Sequence, residues 1–228
     1  MAKQLDLGGE GYIRVIGGRP EDDFFQTPTS FIRAVLEQIP KQTIQRVRDY
    51  RILDACSGLG VLGRETEQWS RAAGANPIVT SIEQNAARLD TQPRNWRLIC
   101  TDFLEWSAKQ IDGEFDLVVM NPPFAYPPPP GGKKRIPVWT SFLQAALRMR
   151  ACGGIALILG EVGFLFGLER TELYRQQPPS EIYASPRRLD YLQQAGCGQT
   201  ADFESIWVQW GPHDNPSSTT WHWLWSMI

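Results

Sequence analysis

Apolar residues in this chain gather into short unbroken runs, and between the runs they recur at helical spacing. Arg51 to Ala55, Pro77 to Glu83, Leu98 to Phe103, Phe115 to Met120 and Ile155 to Leu159 are the runs. Segments this short, rich in Ile, Val and Leu and closed by turn residues, predict strands buried on both faces. Phe31, Val35, Leu36 and Ile39 repeat with a helix's period until Pro40. Thr27-Pro28 supplies that helix's start, with Thr as N-cap and Pro at the first helical position. Helices are likewise predicted from Val61 to about Ala73, from Trp139 to Arg150 with Gly153-Gly154 as its stop, and over 163–176, broken by Pro178-Pro179. Ile182 to Ala184 reads as a sixth strand, and Asp202 to Trp210 alternates like another. After a turn-rich bridge from Gly211 to Ser218, Trp221 to Trp225 sets three tryptophans on one strand face. The pattern predicts an α/β fold of five βα units finished by a C-terminal β-hairpin. One domain is expected over 1–228, with a flexible Gly-rich segment at 1–20, where Tyr12 to Ile16 is a candidate edge strand, and a Trp-rich extension at 211–228.

Composition narrows the class. With 228 residues and 42% hydrophobic content, the chain can bury one sizeable core. Its net charge of -2 provides no global field for a polyanion, so any nucleic-acid contact must use local basic patches. The four cysteines, Cys56, Cys100, Cys152 and Cys197, stand far apart without C-x-x-C spacing and are expected to be free thiols. There are 2 histidines, both near the end, which argues against a His-rich metal site, and no metal is expected. The first residues lack the apolar core of a leader, and no apolar run reaches the roughly 18 residues that span a bilayer. A soluble cytoplasmic enzyme without membrane contact is the expectation.

The polar residues that interrupt this pattern carry the chemistry. Three successive strands end in an acid: Asp54, Glu83 and Asp102, the last beside Phe103. Each alone fits an N-cap or a solvated loop charge, but three in succession would line one crevice at the strand ends of a parallel sheet. Between Asp54 and the next helix lies Ala55-Cys56-Ser57-Gly58-Leu59-Gly60. This glycine turn departs from G-x-G-x-x-G and from the phosphate loop G-x-x-x-x-G-K-[ST], and the acid favours a cationic or hydroxyl-bearing guest. At the end of the fourth strand stands Asn121-Pro122-Pro123-Phe124. Two prolines cannot continue a ladder, so they make a stiff ledge with an amide acceptor, carbonyls and a flat ring side by side. Such a ledge suits a planar group bearing an exocyclic amine. The following loop joins Pro127 to Pro130, Gly131-Gly132 and the cluster Lys133-Lys134-Arg135, and serves either as a solvated linker or as a phosphate contact. Arg187-Arg188 forms a second basic turn.

Together these residues resemble the N6-adenine DNA methyltransferases, class I enzymes dependent on S-adenosylmethionine, and in particular their compact phage- and prophage-like members. The matching motifs are Phe24-Phe25-Gln26-Thr27-Pro28, Asp54 to Gly60, Glu83, Asp102-Phe103 and Asn121 to Phe124, in the order of the gamma arrangement. The resemblance implies a Rossmann-like, mostly parallel seven-stranded sheet with helices on both faces, in a bacterial or phage-infected cell. It also implies roles. Phe25, Thr27 and Pro28 would meet the methionine end of the cofactor, and Asp54, Ala55, Cys56, Gly58 and Gly60 would cradle its amino-acid part. Glu83 would hold the ribose hydroxyls, while Asp102 would accept from the adenine N6 with Phe103 against the ring. Asn121, which also borders the cofactor, and the Pro122 carbonyl would accept the hydrogens of the target amine. Pro123 stiffens the ledge, and Phe124 would stack on the target base. Lys133, Lys134, Arg135, Arg187 and Arg188 are the candidate contacts to DNA.

The family usually carries Tyr or Trp at the place of Phe124, and a long insertion that reads sequence. The first difference removes a hydroxyl; the second predicts short-site specificity through loops 125–138 and 161–190, or through a partner or a homodimer. RNA base-amine methylation, protein glutamine methylation and a non-catalytic binding subunit are the alternatives.

Overall fold

The computed structural model describes residues 26–44, 49–126, 136–189, 204–212 and 218–227, with the backbone of short strands at 4–5, 13–16 and 19–20. Phe25, the Lys133-Lys134-Arg135 cluster and Cys197 lie outside the described residues. The central sheet has eight strands: β1 Asp49–Ala55, β2 Asn76–Glu83, β3 Arg97–Cys100, β4 Phe115–Met120, β5 Arg150–Glu161, β6 Glu181–Ala184, β7 Ser205–Trp210 and β8 Thr220–Trp223. Their order is β8-β6-β7-β5-β4-β1-β2-β3. β7 runs antiparallel to both its neighbours, and the other pairs are parallel. The expected mostly parallel α/β sheet is present, with one strand more than seven.

All six residues of β4 are buried, as a strand covered on both faces requires. On one face lie α1 Thr29–Gln38 and α2 Val61–Ala72, whose Phe31, Val35 and Leu62 pack with Leu157, Tyr183 and Trp207. Phe31 and Trp207 stand 6.1 Å apart between ring centroids. On the other face α4 Phe103–Ser107 and α5 Trp139–Met149 pack over Val118, Met120 and Ile158, with Phe103 stacked on Phe142 at 5.8 Å. A short α3, Ala86–Leu89, follows β2, and α6 Leu168–Gln176 follows β5. From β1 the chain winds outward to β2 and β3, then returns to β4 on the opposite side of β1. The crevice beyond the ends of β1 and β4 is therefore the switch point where ligands bind in such sheets.

Several local expectations are corrected. Thr27 is not the N-cap: α1 begins at Thr29, Pro28 occupies the cap position, and no side chain caps it. Gly153-Gly154 does not stop α5 but lies inside β5, where the register on β4 jumps from Arg150↔Phe115 to Ile155↔Leu117. That bulge brings three carbonyl oxygens within 2.8–3.1 Å of where a Cβ on Gly154 would stand. The third strand stops at Cys100, so Asp102 sits one step on, as the N-cap of α4. The helix expected over 163–176 is split into a 3-10 turn, Val162–Leu165, and α6. The tail makes no hairpin with β7. Instead β8 crosses to the far edge and pairs parallel with β6, and the closing antiparallel pair is β6 with β7. Trp221 and Trp223 on β8 and Trp225 beyond it are exposed, ring to ring at 6.0 and 6.1 Å. In the first twenty residues the candidate strand at Tyr12 to Ile16 is present as Ile13–Ile16, and it pairs antiparallel with short strands at Gln4–Leu5 and Arg19–Pro20 that were not expected.

Candidate active site

Beyond β1 the chain adopts left-handed backbone three times in five residues, at Cys56 (φ 63), Gly58 (φ 53) and Gly60 (φ 76). The sequence supplies glycine at two of these, where other residues are strained. The resulting curl lays the loop against the end of β2: Ser57 N donates to Ile82 O at 2.9 Å, and Gly58 N donates to Glu83 Oε2 at 2.9 Å. Gln92 locks it from behind, its amide donating to Gly58 O at 2.7 Å and Ser57 Oγ at 2.8 Å while accepting from Ser81. Every member of this buried network is partnered, which makes it rigid rather than costly. Burial and the surrounding acids push the Cys56 thiol well up, so it is no thiolate nucleophile.

The three acids at the strand ends have different tasks. Asp54 is fully buried; its Oδ2 accepts from Gly63 N at 2.7 Å, fastening the first turn of α2, and its Oδ1 has no partner. Burial pushes its carboxyl up to about 7. It does not line the cleft. Glu83 does, with Oε2 on Gly58 N and Oε1 on Asn85 N at 2.9 Å, and Arg88 at 3.5 Å. Asp102 caps α4 by accepting from Glu105 N at 2.9 Å through Oδ1. Its Oδ2 accepts from the Tyr126 hydroxyl at 2.7 Å and from the Gln84 amide. Burial and Asp102 hold the Tyr126 hydroxyl far above its ordinary value, so it stays a donor.

Asn121 projects from the end of β4 into the same cleft, and its Nδ2 donates to Thr27 Oγ1 at 3.1 Å, across 94 residues of sequence. The Thr that does not cap α1 thus orients the ledge amide. Pro123, Ala125 and Tyr126 line the cleft, whereas Pro122 is buried. The Phe124 ring is 8% exposed and meets Phe164 edge-on at 5.2 Å. Phe164 in turn stacks on Trp139 at 4.8 Å. The face expected to be open for a base is packed among aromatic neighbours. Ala125–Tyr126 pairs with Ile136–Pro137, a two-stranded ribbon that frames the loop between them.

The cleft has a volume of about 600 Å³, within the range of small-molecule sites. Thr27, Cys56, Gly58, Glu83, Phe103 and Asn121 come together on its wall, whereas Pro28, Asp54, Ala55, Gly60, Asp102, Pro122 and Phe124 do not line it. Gln84, Gln92 and Tyr126 were not singled out by the sequence. Gln84 follows the acid of β2 directly and Tyr126 follows the ledge by two residues, so adjacency was the available signal. Of the basic candidates, Arg188 is forked on Glu204 at 3.0 and 2.7 Å, and Arg187 is exposed; neither lines the cleft. Among the described residues no cluster of His, Cys, Asp or Glu is placed to hold a metal, and no helix is long and apolar enough to cross a membrane. Cys56, Cys100 and Cys152 are free thiols. The arrangement offers hydrogen-bond acceptors and rigid positioning.

Comparison with known proteins agrees with this geometry. The pattern of the methyltransferase small domain matches residues 32–162, more than half of the chain. A class I S-adenosylmethionine-dependent methyltransferase of Listeria monocytogenes is 16% identical over 89% of this chain and 67% of its own, with a TM-score of 0.66. The methyltransferase subunit of a type I restriction-modification system from Streptococcus thermophilus is 17% identical over 85% of this chain, TM-score 0.63. The M protein of the type I restriction enzyme EcoKI is 14% identical over 85%, TM-score 0.59. The chain spans just under half of those two subunits, 45% and 46% of their lengths. No curated protein matches it. The solved structures share the fold; the family match covers the glycine loop, the acids and the ledge. The chain belongs to the methyltransferase small domain family, and it shares its fold with a structure described as an S-adenosylmethionine-dependent methyltransferase.

Proposed function

We propose that the protein methylates the exocyclic N6 amine of adenine in DNA. The observation that carries this reading is the Asn121 amide, held by Thr27 at the rim of a cleft whose opposite wall is the Gly58–Glu83 loop. S-adenosylmethionine supplies an electrophilic methyl group on a sulfonium. The residues present suit it: a left-handed glycine loop admits close backbone approach, and Glu83 on the cleft wall, paired with Arg88, offers an acceptor for hydroxyl groups. Glu83 would accept from a ribose hydroxyl on the Oε2 position that Gly58 leaves, Oε1 being taken by Asn85 N and Arg88. Asp102 has four lone-pair positions and three donors, so one remains for the cofactor's N6 beside Phe103. Thr27, on the cleft wall, would border the methionine end.

An adenine N6 lone pair is delocalised into its ring and is a poor nucleophile. Asn121 Oδ1 and the Pro122 carbonyl accept its two hydrogens, which favours pyramidal nitrogen and stabilises positive charge where it develops. Pro123 keeps the two acceptors at a fixed spacing. Phe124 forms the apolar backing of this position, braced by Phe164. In-line transfer then needs positioning and no strong base. DNA is favoured as the polymer because two of the similar structures are methyltransferase subunits of DNA restriction systems. A base in a duplex must leave the stack to reach such a cleft.

The test is incubation with labelled S-adenosylmethionine and duplex DNA, single-stranded DNA, RNA or protein, followed by nucleoside analysis. N6-methyladenine in DNA is expected. Asn121→Ala should lose roughly 100-fold or more of that rate while S-adenosylmethionine affinity stays within about threefold. Label confined to RNA or protein, or an active Asn121→Ala enzyme, overturns the proposal.

A further inference from the structure

Phe166, just after the 3-10 turn, is 69% exposed and Leu168, the first residue of α6, is 94% exposed, yet the segment that carries them is held firmly. The Arg170 guanidinium donates to three carbonyls of the turn before α6: Phe164 O at 2.8 Å, Phe166 O at 2.5 Å and Gly163 O at 3.5 Å. Tyr174 OH donates to Phe164 O at 2.7 Å. The Arg170 guanidinium also lies over the Phe164 ring at 5.8 Å. The same Phe164 ring touches Phe124 of the ledge at 5.2 Å and stacks on Trp139. One residue therefore ties the catalytic ledge to a braced loop that presents two large apolar side chains to water. A floppy loop would hide them; this one is built to hold them out.

We infer that Phe166, with Leu168 beside it, is a wedge that enters the base stack of duplex DNA and occupies the space left by the extruded target base. The inference rests on the proposed reaction at the adjoining ledge. Three observations favour a base step as the occupant. The loop adjoins the ledge of the proposed reaction: Phe164 packs on the buried ring of Phe124, which follows Pro123 of the cleft wall. Two side chains are far too small a patch for a stable protein interface, which needs about 800 Å² per partner. They do match the one or two apolar residues that unstack a single step, a distortion that costs a few kcal/mol and that such wedges stabilise.

The experiment compares wild type with Phe166→Ala/Leu168→Ala on one target adenine in three settings: a paired duplex, a duplex with an abasic site opposite the target, and a single strand. A wedge matters where stacking and pairing must be broken. The ratio of duplex to single-strand rate should fall about tenfold or more, corresponding to about 1.4 kcal/mol or more of lost help. The abasic duplex should recover most of the deficit. Phe166→Leu should keep a ratio near wild type. With 2-aminopurine at the target position, the fluorescence rise on binding should be lost in the double variant. An unchanged ratio, an equal loss on all three substrates, or a wild type active on single strands alone overturns the inference while leaving the proposed reaction standing. A concentration-dependent dimer that the double substitution dissolves would make the patch an interface between copies and also overturn it. A wild type that labels no DNA ends both readings.

Discussion

At the scale of single residues, Asp54 shows how burial turns a motif acid into a structural device with a pH signature. Its carboxyl is fully buried, and this burial, with the charge of Glu83, outweighs the Gly63 N–H bond and the field of Arg64 and raises it from 3.8 to about 7. A folded state that holds a proton the unfolded chain has released becomes less stable as pH rises. The contribution of Asp54 is therefore fully favourable below about pH 4 and is lost progressively as pH rises to about 7. Asp54→Asn removes this dependence. Urea unfolding of the two proteins side by side should show the variant gaining on wild type across that window, by up to roughly 4 kcal/mol. A constant difference would mean that Asp54 is ionised in the fold. The sequence marked Asp54, Glu83 and Asp102 alike as strand-end acids, because a strand's end is legible from its apolar run. It could not separate a buried anchor, a cleft wall and a helix cap, because those depend on what the next strand brings beside each carboxylate.

At the scale of elements, the contact of α2 with the sheet is set by Gly63. A Cβ there would stand 2.6 Å from the Trp96 ring and 2.9 Å from Asp54 Oδ2. Trp96 is also tied to α2 through its indole N–H on Glu67 at 3.0 Å, so it cannot simply swing away. Gly63→Ala should cost about 1–3 kcal/mol in denaturant unfolding despite alanine's better helix propensity. It should also weaken S-adenosylmethionine binding in calorimetry, because the glycine loop ends on the turn that must shift. A variant as stable as wild type would show that α2 can slide on the sheet. The strands and the longer helices were readable because apolar runs and helical periods are local. Thr27, Gly153-Gly154 and β8 were misread for one shared reason: each takes its place from a partner distant in sequence, Asn121, β4 and β6 respectively.

At the scale of the whole molecule, a net charge of -2 leaves substrate capture to local charge. Arg188 is spent on Glu204, so the cluster Lys133-Lys134-Arg135, which lies between the two strands of the ledge ribbon in sequence, is the stronger candidate for phosphate contact. Replacing all three by Ala should weaken DNA binding and flatten the slope of log affinity against log salt by about 2 to 3. An unchanged slope in fluorescence anisotropy would make that segment a linker. The sequence by itself determined the α/β class, the glycine loop, the acids and the Asn-Pro-Pro-Phe ledge, since these are written in runs and spacings a few residues long. The tertiary structure decided what faces the cleft and what is buried behind it. It closed Phe124 behind Phe164, set Thr27 on Asn121 instead of at the start of α1, brought Tyr126 onto Asp102, and sent the tryptophan tail to the sheet edge beyond β6. Those outcomes follow from packing and hydrogen-bond satisfaction between segments far apart in the chain, which no local pattern records.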